Sequence, residues 1–203
     1  MIDLYLWGTT NGLRASVALT ESGLEHRIHK VDLTKGEQKT PEFLALNPAG
    51  QIPVMVDSNG PNGARLVLAQ SGAIVLYAAE KTGKFIPKDG ARRAAAWQWF
   101  MMGWSDLAGT SATLFLTETF APEKSAKNVQ FFKDRLFKLF SLLDQRLTGR
   151  DFVADELSIG DLMLYPVYAL RKSMIEAAGD FANLHRWGAL MASRPGVQKG
   201  MNP

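Results

Sequence analysis

Asn47-Pro48-Ala49-Gly50-Gln51-Ile52-Pro53-Val54-Met55-Val56-Asp57, followed after a polar loop by Leu68-Ala69-Gln70-Ser71-Gly72, is the most informative part of the chain. It sets an Ile-Pro at the mouth of a short apolar strand and a Gln-Ser at the start of an apolar helix. An X-Pro bond is the one place where a chain adopts cis at tolerable cost. A cis Pro53 would turn the backbone of Ile52 outward and free its N–H and C=O for an extended peptide. A helix beginning near Gln70 and Ser71 would aim unpaired N–H groups at a carboxylate. Together these features suit a small anionic peptide better than a nucleotide or a metal.

Working outward, Ile2 to Trp7 reads as a strand, closed by Gly8-Thr9-Thr10-Asn11-Gly12. Leu13 to Ser22 carries Leu13, Val17 and Ala18, which can share a helix face, and Gly23 is a good stop. His26 to Asp32 suggests a second strand, and Pro41 to Leu46 a short helix with proline in its first turn. Ile52 to Val56 and Arg65 to Ala69 pair as a hairpin around Ser58–Gly63, and Ser71 to Lys81 is helical. The order is strand, helix, strand, then strand, strand, helix. The predicted class is therefore α+β: a thioredoxin-like βαβ-ββα domain over 1–82, a linker over 83–91, and an all-α bundle over 92–203. The predicted bundle helices are Arg92 to Thr119, Ser125 to Leu147, Ser158 to Met174 and Asn183 to Ser193, with Pro195 lying past the last end.

Composition excludes several classes. The 203 residues include 46% hydrophobic and 21% charged side chains, as in an ordinary globular protein. The net charge of +3, from 23 basic and 20 acidic residues, is too mixed to argue for nucleic acid. There is no cysteine, so disulfides, thiolate metal sites and a protein thiol nucleophile are excluded. Any sulfur chemistry needs sulfur from the ligand. Met1 to Trp7 contains Asp3 and lacks a basic start, unlike a signal peptide, and no apolar run reaches membrane-spanning length. No membrane partner is expected, and the expected location is cytoplasmic.

The layout and its motifs resemble the cytosolic glutathione S-transferases. Asn47-Pro48-Ala49-Gly50-Gln51-Ile52-Pro53 is similar to that family's Asn-Pro-x-Gly-x-(Ile/Val)-Pro segment, and Gln70-Ser71-Gly72-Ala73-Ile74 to its (Glu/Gln)-Ser-x-Ala-Ile segment. Ser158-Ile159-Gly160-Asp161 resembles its helix-capping sequence. Within the family, the N-terminal half resembles the bacterial nu class, which includes glutathione-dependent disulfide-bond reductases. That class carries Thr-Pro-Asn-Gly after the first strand; here Thr9 and Asn11 match and Thr10 departs. Gln70 stands where nu-class members usually have Glu, so a charge near the ligand's ammonium is lost.

The resemblance implies glutathione as substrate, no metal, and a homodimer. Ile52 ahead of Pro53 would pair with the cysteine portion; the plainer alternative is that Pro53 only shapes a turn. Ser71 would bind the γ-glutamyl carboxylate and Gln70 the ammonium; alternatively Ser71 is a plain N-cap. Gln51 and Gln38 are candidate donors to the glycine carboxylate, against a solvated-loop reading for Gln38. Thr9 and Asn11, where strand meets helix, can donate to a thiolate whose ordinary pKa is about 8.5. The alternative is that Thr-Thr-Asn-Gly is merely a turn. Tyr5 is a rival donor, but it lies within a strand and packing suits it better. Trp97, Phe100, Met101, Trp104, Phe115 and Phe120 read mostly as bundle core, with Trp104 and Phe115 the candidates for a second-substrate pocket. His26, His29 and His185 lack metal-ligand spacing.

Two functions follow. The first is a detoxifying enzyme that conjugates glutathione thiolate to apolar electrophiles, reduces disulfides and organic peroxides with it, or both. The second is a non-catalytic binding or scaffold module on the same fold.

Overall fold

A computed structural model describes all 203 residues. They form two compact units, Met1–Lys84 with Ser193–Pro203, and Phe85–Ala192.

The first unit holds β1 (Ile2–Leu6), α1 (Thr10–Ser22), β2 (His26–Lys30), α2 (Pro41–Leu46), β3 (Val54–Asp57), β4 (Leu66–Ala69) and α3 (Ser71–Thr82). The sheet order is β2-β1-β3-β4. β1 runs parallel to β2 and antiparallel to β3, and β3 runs antiparallel to β4. This is the βαβ-ββα arrangement that the alternation and turn residues predict. In β1 alternate residues Ile2, Leu4 and Leu6 are buried, as a strand with one fully covered face requires. α1 and α3 end on Gly23 and Gly83, both left-handed, a conformation glycine adopts without a Cβ penalty.

Two expectations need correction here. α1 starts at Thr10 rather than Leu13, so Thr-Thr-Asn-Gly is a cap and first turn instead of a loose turn. Gly12 permits this, because a Cβ there would strike the carbonyl oxygen of Trp7. Further, Pro195 does follow a helix that ends at Ala192, but the chain goes on into another. Pro195 is the first residue of that helix, α9 (Pro195–Met201), a position that suits proline because its missing N–H is not needed there. Residues 193–203 therefore join the first unit, not the bundle. The Glu21 carboxylate accepts from the Arg194 guanidinium at 2.7 Å and from the Val197 N–H at 3.0 Å. The Thr20 hydroxyl donates to the Gly196 carbonyl at 2.7 Å, and Gly200 lies close against Val17.

The second unit is helical throughout: α4 (Gly90–Met101), α5 (Ala108–Thr119), α6 (Ala126–Arg146), α7 (Ile159–Glu176) and α8 (Ala182–Ala192). The run expected from Arg92 to Thr119 contains a π-helical segment, Met102–Leu107, between α4 and α5. Gly103 within it comes tightly against Met163 and Leu164. No helix is long and apolar enough to cross a membrane.

Ser158 and Asp161 make the expected capping box at the start of α7. Asp161 is fully buried, and one oxygen also accepts from the Val153 N–H and the Trp187 indole N–H, at 3.1 and 3.0 Å. The other accepts from the Ser158 N–H and hydroxyl. Burial pushes this carboxyl up to about 6, against the pull of its donors. Asp161→Ala strands the N–H groups of Val153, Ser158 and Trp187, at about 1–3 kcal/mol for each buried orphan. The expected loss is at least about 3 kcal/mol, read from the shift of the urea unfolding midpoint.

Candidate functional site

Strand register assembles the site. Tyr5 pairs with Val54, and Val54 with Ala69. The end of β1, the start of β3 and the end of β4 therefore lie side by side at one end of the sheet. Each leads directly into a predicted segment: Thr9 and Asn11 after β1, Ile52 and Pro53 before β3, Gln70 and Ser71 after β4.

The middle segment is held from within. Buried Asn47 donates its side-chain amide to the Gln51 carbonyl at 2.7 Å and accepts from the Ala49 N–H at 3.2 Å. The Ile52–Pro53 peptide is cis. The Ile52 side chain packs on the apolar cluster of Val31, Phe43 and Val54. Pairing of β3 begins only at Val54, and the N–H and C=O of Ile52 make no turn or loop bond. An extended peptide can add to that backbone as a strand adds to a sheet edge.

Gln70 has φ 75° and ψ 120°, a conformation an L-residue rarely adopts. Such strain costs about 1–3 kcal/mol and persists where the surroundings impose it. It makes Gln70 the cap residue of α3, with Ser71 as the first helical residue. This corrects the plain N-cap alternative, since the Ser71 hydroxyl caps nothing. Ser71 is buried and Gln70 exposed. The helix start presents backbone N–H groups and the positive end of the helix dipole to an anion.

Thr9 is the cap of α1, and its hydroxyl oxygen accepts from the Gly12 N–H at 3.3 Å. The hydroxyl hydrogen stays available to donate. Asn11 is exposed in the first turn, and its Oδ1 accepts from Arg14 Nη1 at 2.6 Å. The same end of the sheet thus offers two neutral donors beside a helix N-terminus. No base is among these residues.

Gln38 lies in a 3₁₀ turn, Glu37–Lys39, and its main-chain carbonyl approaches Gly50. That brings it beside the loop bearing exposed Gln51. Gln38 is half-buried, and its Oε1 is buried without a hydrogen-bond partner, so the side chain is not wholly in solvent. Tyr5 stacks on His29 and meets Phe43 edge-on, which is packing. His29 also bonds Asp3, His26 the Leu24 carbonyl, and His185 the Tyr168 hydroxyl.

In the second unit, Trp104 is 47% and Phe115 50% exposed. Met101 and Phe120 are exposed as well, so the core reading fails for four of the six residues and holds best for buried Phe100. Helical periodicity marks an apolar face but not whether another element of the chain covers it.

Comparison with known proteins follows the same lines. The glutathione S-transferase N-terminal domain model matches residues 10–81, and the C-terminal domain model matches residues 96–195. The disulfide-bond oxidoreductase YfcG of Escherichia coli is 34% identical, with 99% of this chain and 94% of that protein aligned. The disulfide-bond oxidoreductase YghU of the same organism is 29% identical over 98% of this chain and 73% of its own length. A glutathione transferase from Pseudomonas putida, solved with one glutathione disulfide per subunit, superposes with a TM-score of 0.90 at 31% identity, covering 98% of this chain and 90% of that one. One from Burkholderia graminis, solved with two glutathione molecules per subunit, gives 0.90 at 34% identity, covering 99% and 87%. The chain belongs to the glutathione S-transferase family.

Arg14 escaped the sequence reading because a lone basic residue on a helix normally marks a solvated face. The (i, i+3) spacing from Asn11 was the available signal. For Gln70 the strained backbone makes a clear stability prediction. Gln70→Gly relieves strain but adds chain entropy, so unfolding free energy should rise by about 1 kcal/mol, measured by urea titration.

Proposed function

We propose that this protein is a glutathione-dependent enzyme that conjugates the thiolate to apolar electrophiles, reduces disulfides and organic peroxides with it, or does both. The observation that supports this reading is the register Tyr5–Val54–Ala69, which brings the segments bearing Thr9, Ile52 and Ser71 to one end of the sheet. Glutathione lies extended along Ile52, its cysteine portion paired with that residue's N–H and C=O. Its γ-glutamyl carboxylate meets the Ser71 hydroxyl and the α3 start, and its ammonium faces the Gln70 side chain. Gln38 and Gln51 donate to the glycine carboxylate.

The thiol then falls near the α1 start. Thr9 donates its hydroxyl hydrogen and Asn11 its amide to the sulfur, stabilising the anion without taking its proton. Each pKa unit of lowering corresponds to about 1.4 kcal/mol of preference for thiolate. In conjugation the thiolate attacks an electrophilic carbon and displaces its leaving group. In reduction it attacks one sulfur of a disulfide, forming a mixed disulfide with glutathione and releasing a thiol. A second glutathione then attacks that mixed disulfide, releasing glutathione disulfide and the second thiol. With no cysteine in the chain, no step passes through a protein thiol. The YfcG and YghU relatives, both disulfide-bond oxidoreductases, favour reduction as one of the reactions.

Trp104 and Phe115 supply apolar surface for a small apolar or disulfide cosubstrate. The working form is a cytoplasmic homodimer, as the family resemblance implies. A pure scaffold would need none of the donor geometry at Thr9 and Asn11.

Thr9→Ala and Asn11→Ala test the mechanism. Each removes a hydrogen bond to a charged group, of the order of 1.5–3 kcal/mol, so kcat/KM should fall about 10–100-fold. Assays with a chromogenic electrophile and with hydroxyethyl disulfide read the two reactions separately. Unchanged rates in both assays would remove these residues from the mechanism. Gln70→Gly should also weaken glutathione binding in calorimetry, even though the protein is more stable.

A further inference from the structure

Asn11 is a side chain with two faces of opposite polarity. Its oxygen only accepts and its nitrogen only donates. An exposed asparagine can present either face to a ligand, and presenting the oxygen to a thiolate would repel it. The helix resolves that choice. One turn on from Asn11, the Arg14 side chain lies buried, only 1% exposed, within the body of the first unit. Its Nη1 donates to Asn11 Oδ1 at 2.6 Å, the short distance expected of a charge-assisted bond. With the amide flipped, the Asn11 nitrogen would face the guanidinium donor against donor.

We infer that Arg14 is a positioning residue that locks the Asn11 carboxamide with its N–H edge toward the glutathione sulfur. Resting on the function proposed above, this adds a source for the polarity of the thiolate site. The guanidinium also stays charged at neutral pH: burial lowers it only to about 10. Positive charge behind the carbonyl polarises the amide and strengthens its N–H groups as donors. The cation acts through Asn11, where a neutral donor can approach the sulfur without forming an ion pair that holds it in place.

The experiment follows the ultraviolet absorbance of thiolate against pH, with reduced glutathione bound to the protein. Arg14→Met keeps much of the side-chain length and removes the donor. It should raise the bound-thiol pKa by about one unit, a roughly tenfold loss of thiolate below the pKa, with far-ultraviolet dichroism unchanged. Arg14→Lys, retaining charge and a donor, should recover part of the loss. In an Asn11→Ala background, Arg14→Met should produce no further shift. An unshifted thiol pKa in folded Arg14→Met overturns the inference, and so does an equal shift with Asn11 absent. Should Arg14→Met not fold, Asn11→Asp decides, because an oxygen then replaces the donor edge while the bond to Arg14 persists. Its bound-thiol pKa must rise above that of the unsubstituted protein, and an unchanged value refutes the role. If the unsubstituted protein binds glutathione and forms thiolate, such failures fall on the Arg14–Asn11 pair and leave glutathione binding standing. If it does neither, the functional reading fails and this inference with it.

Discussion

The pairing of Tyr5 with Val54, and of Val54 with Ala69, is the constraint on which the molecule's chemistry depends. Side chains in a strand alternate faces, so a slip of one residue of β1 against β3 would reverse its buried set. Ile2, Leu4 and Leu6 are buried while Asp3 and Tyr5 are only partly so, which ties this register to the core. The same register fixes where three chain segments leave the sheet, and those segments carry the anchors proposed for glutathione. Site and core are therefore set by one pairing rather than by separate devices.

The anchors also share a physical style. Backbone at Ile52, a helix start at Ser71 and a capping hydroxyl at Thr9 supply polarity without net charge. Their positions are fixed by neighbouring groups. Asn47 shapes the loop before Ile52, the strained backbone at Gln70 aims the start of α3, and Arg14 holds Asn11. Preorganised neutral donors of this kind can stabilise an anion without forming an ion pair with it.

Much of this was legible in the sequence because it is local. Ile52-Pro53, Gln70-Ser71 and the Ser158-to-Asp161 cap are short motifs whose chemistry follows from adjacent residues. The βαβ-ββα order followed from strand alternation and turn residues. What escaped depended on distant partners. Pro195 follows the end of α8 as its position suggests, but that it also opens α9 depends on Glu21, far away in sequence, which accepts from Arg194 and Val197. The first turn of α1 was hidden because only the absence of a Cβ at Gly12 lets it approach the Trp7 carbonyl. Trp97, Phe100, Met101, Trp104, Phe115 and Phe120 had core-like spacing, yet four of these six are exposed. Periodicity cannot tell whether an apolar face finds a partner within the same chain.

Amide-resolved NMR during titration with reduced glutathione tests the central claim most directly, namely that the tripeptide lies along Ile52 and ends at the start of α3. The account predicts saturable shifts largest at the Ile52 and Ser71 N–H groups and at the Asn11 side-chain amide. Saturation that leaves those three unmoved, or shifts confined to residues 85–192, would contradict it.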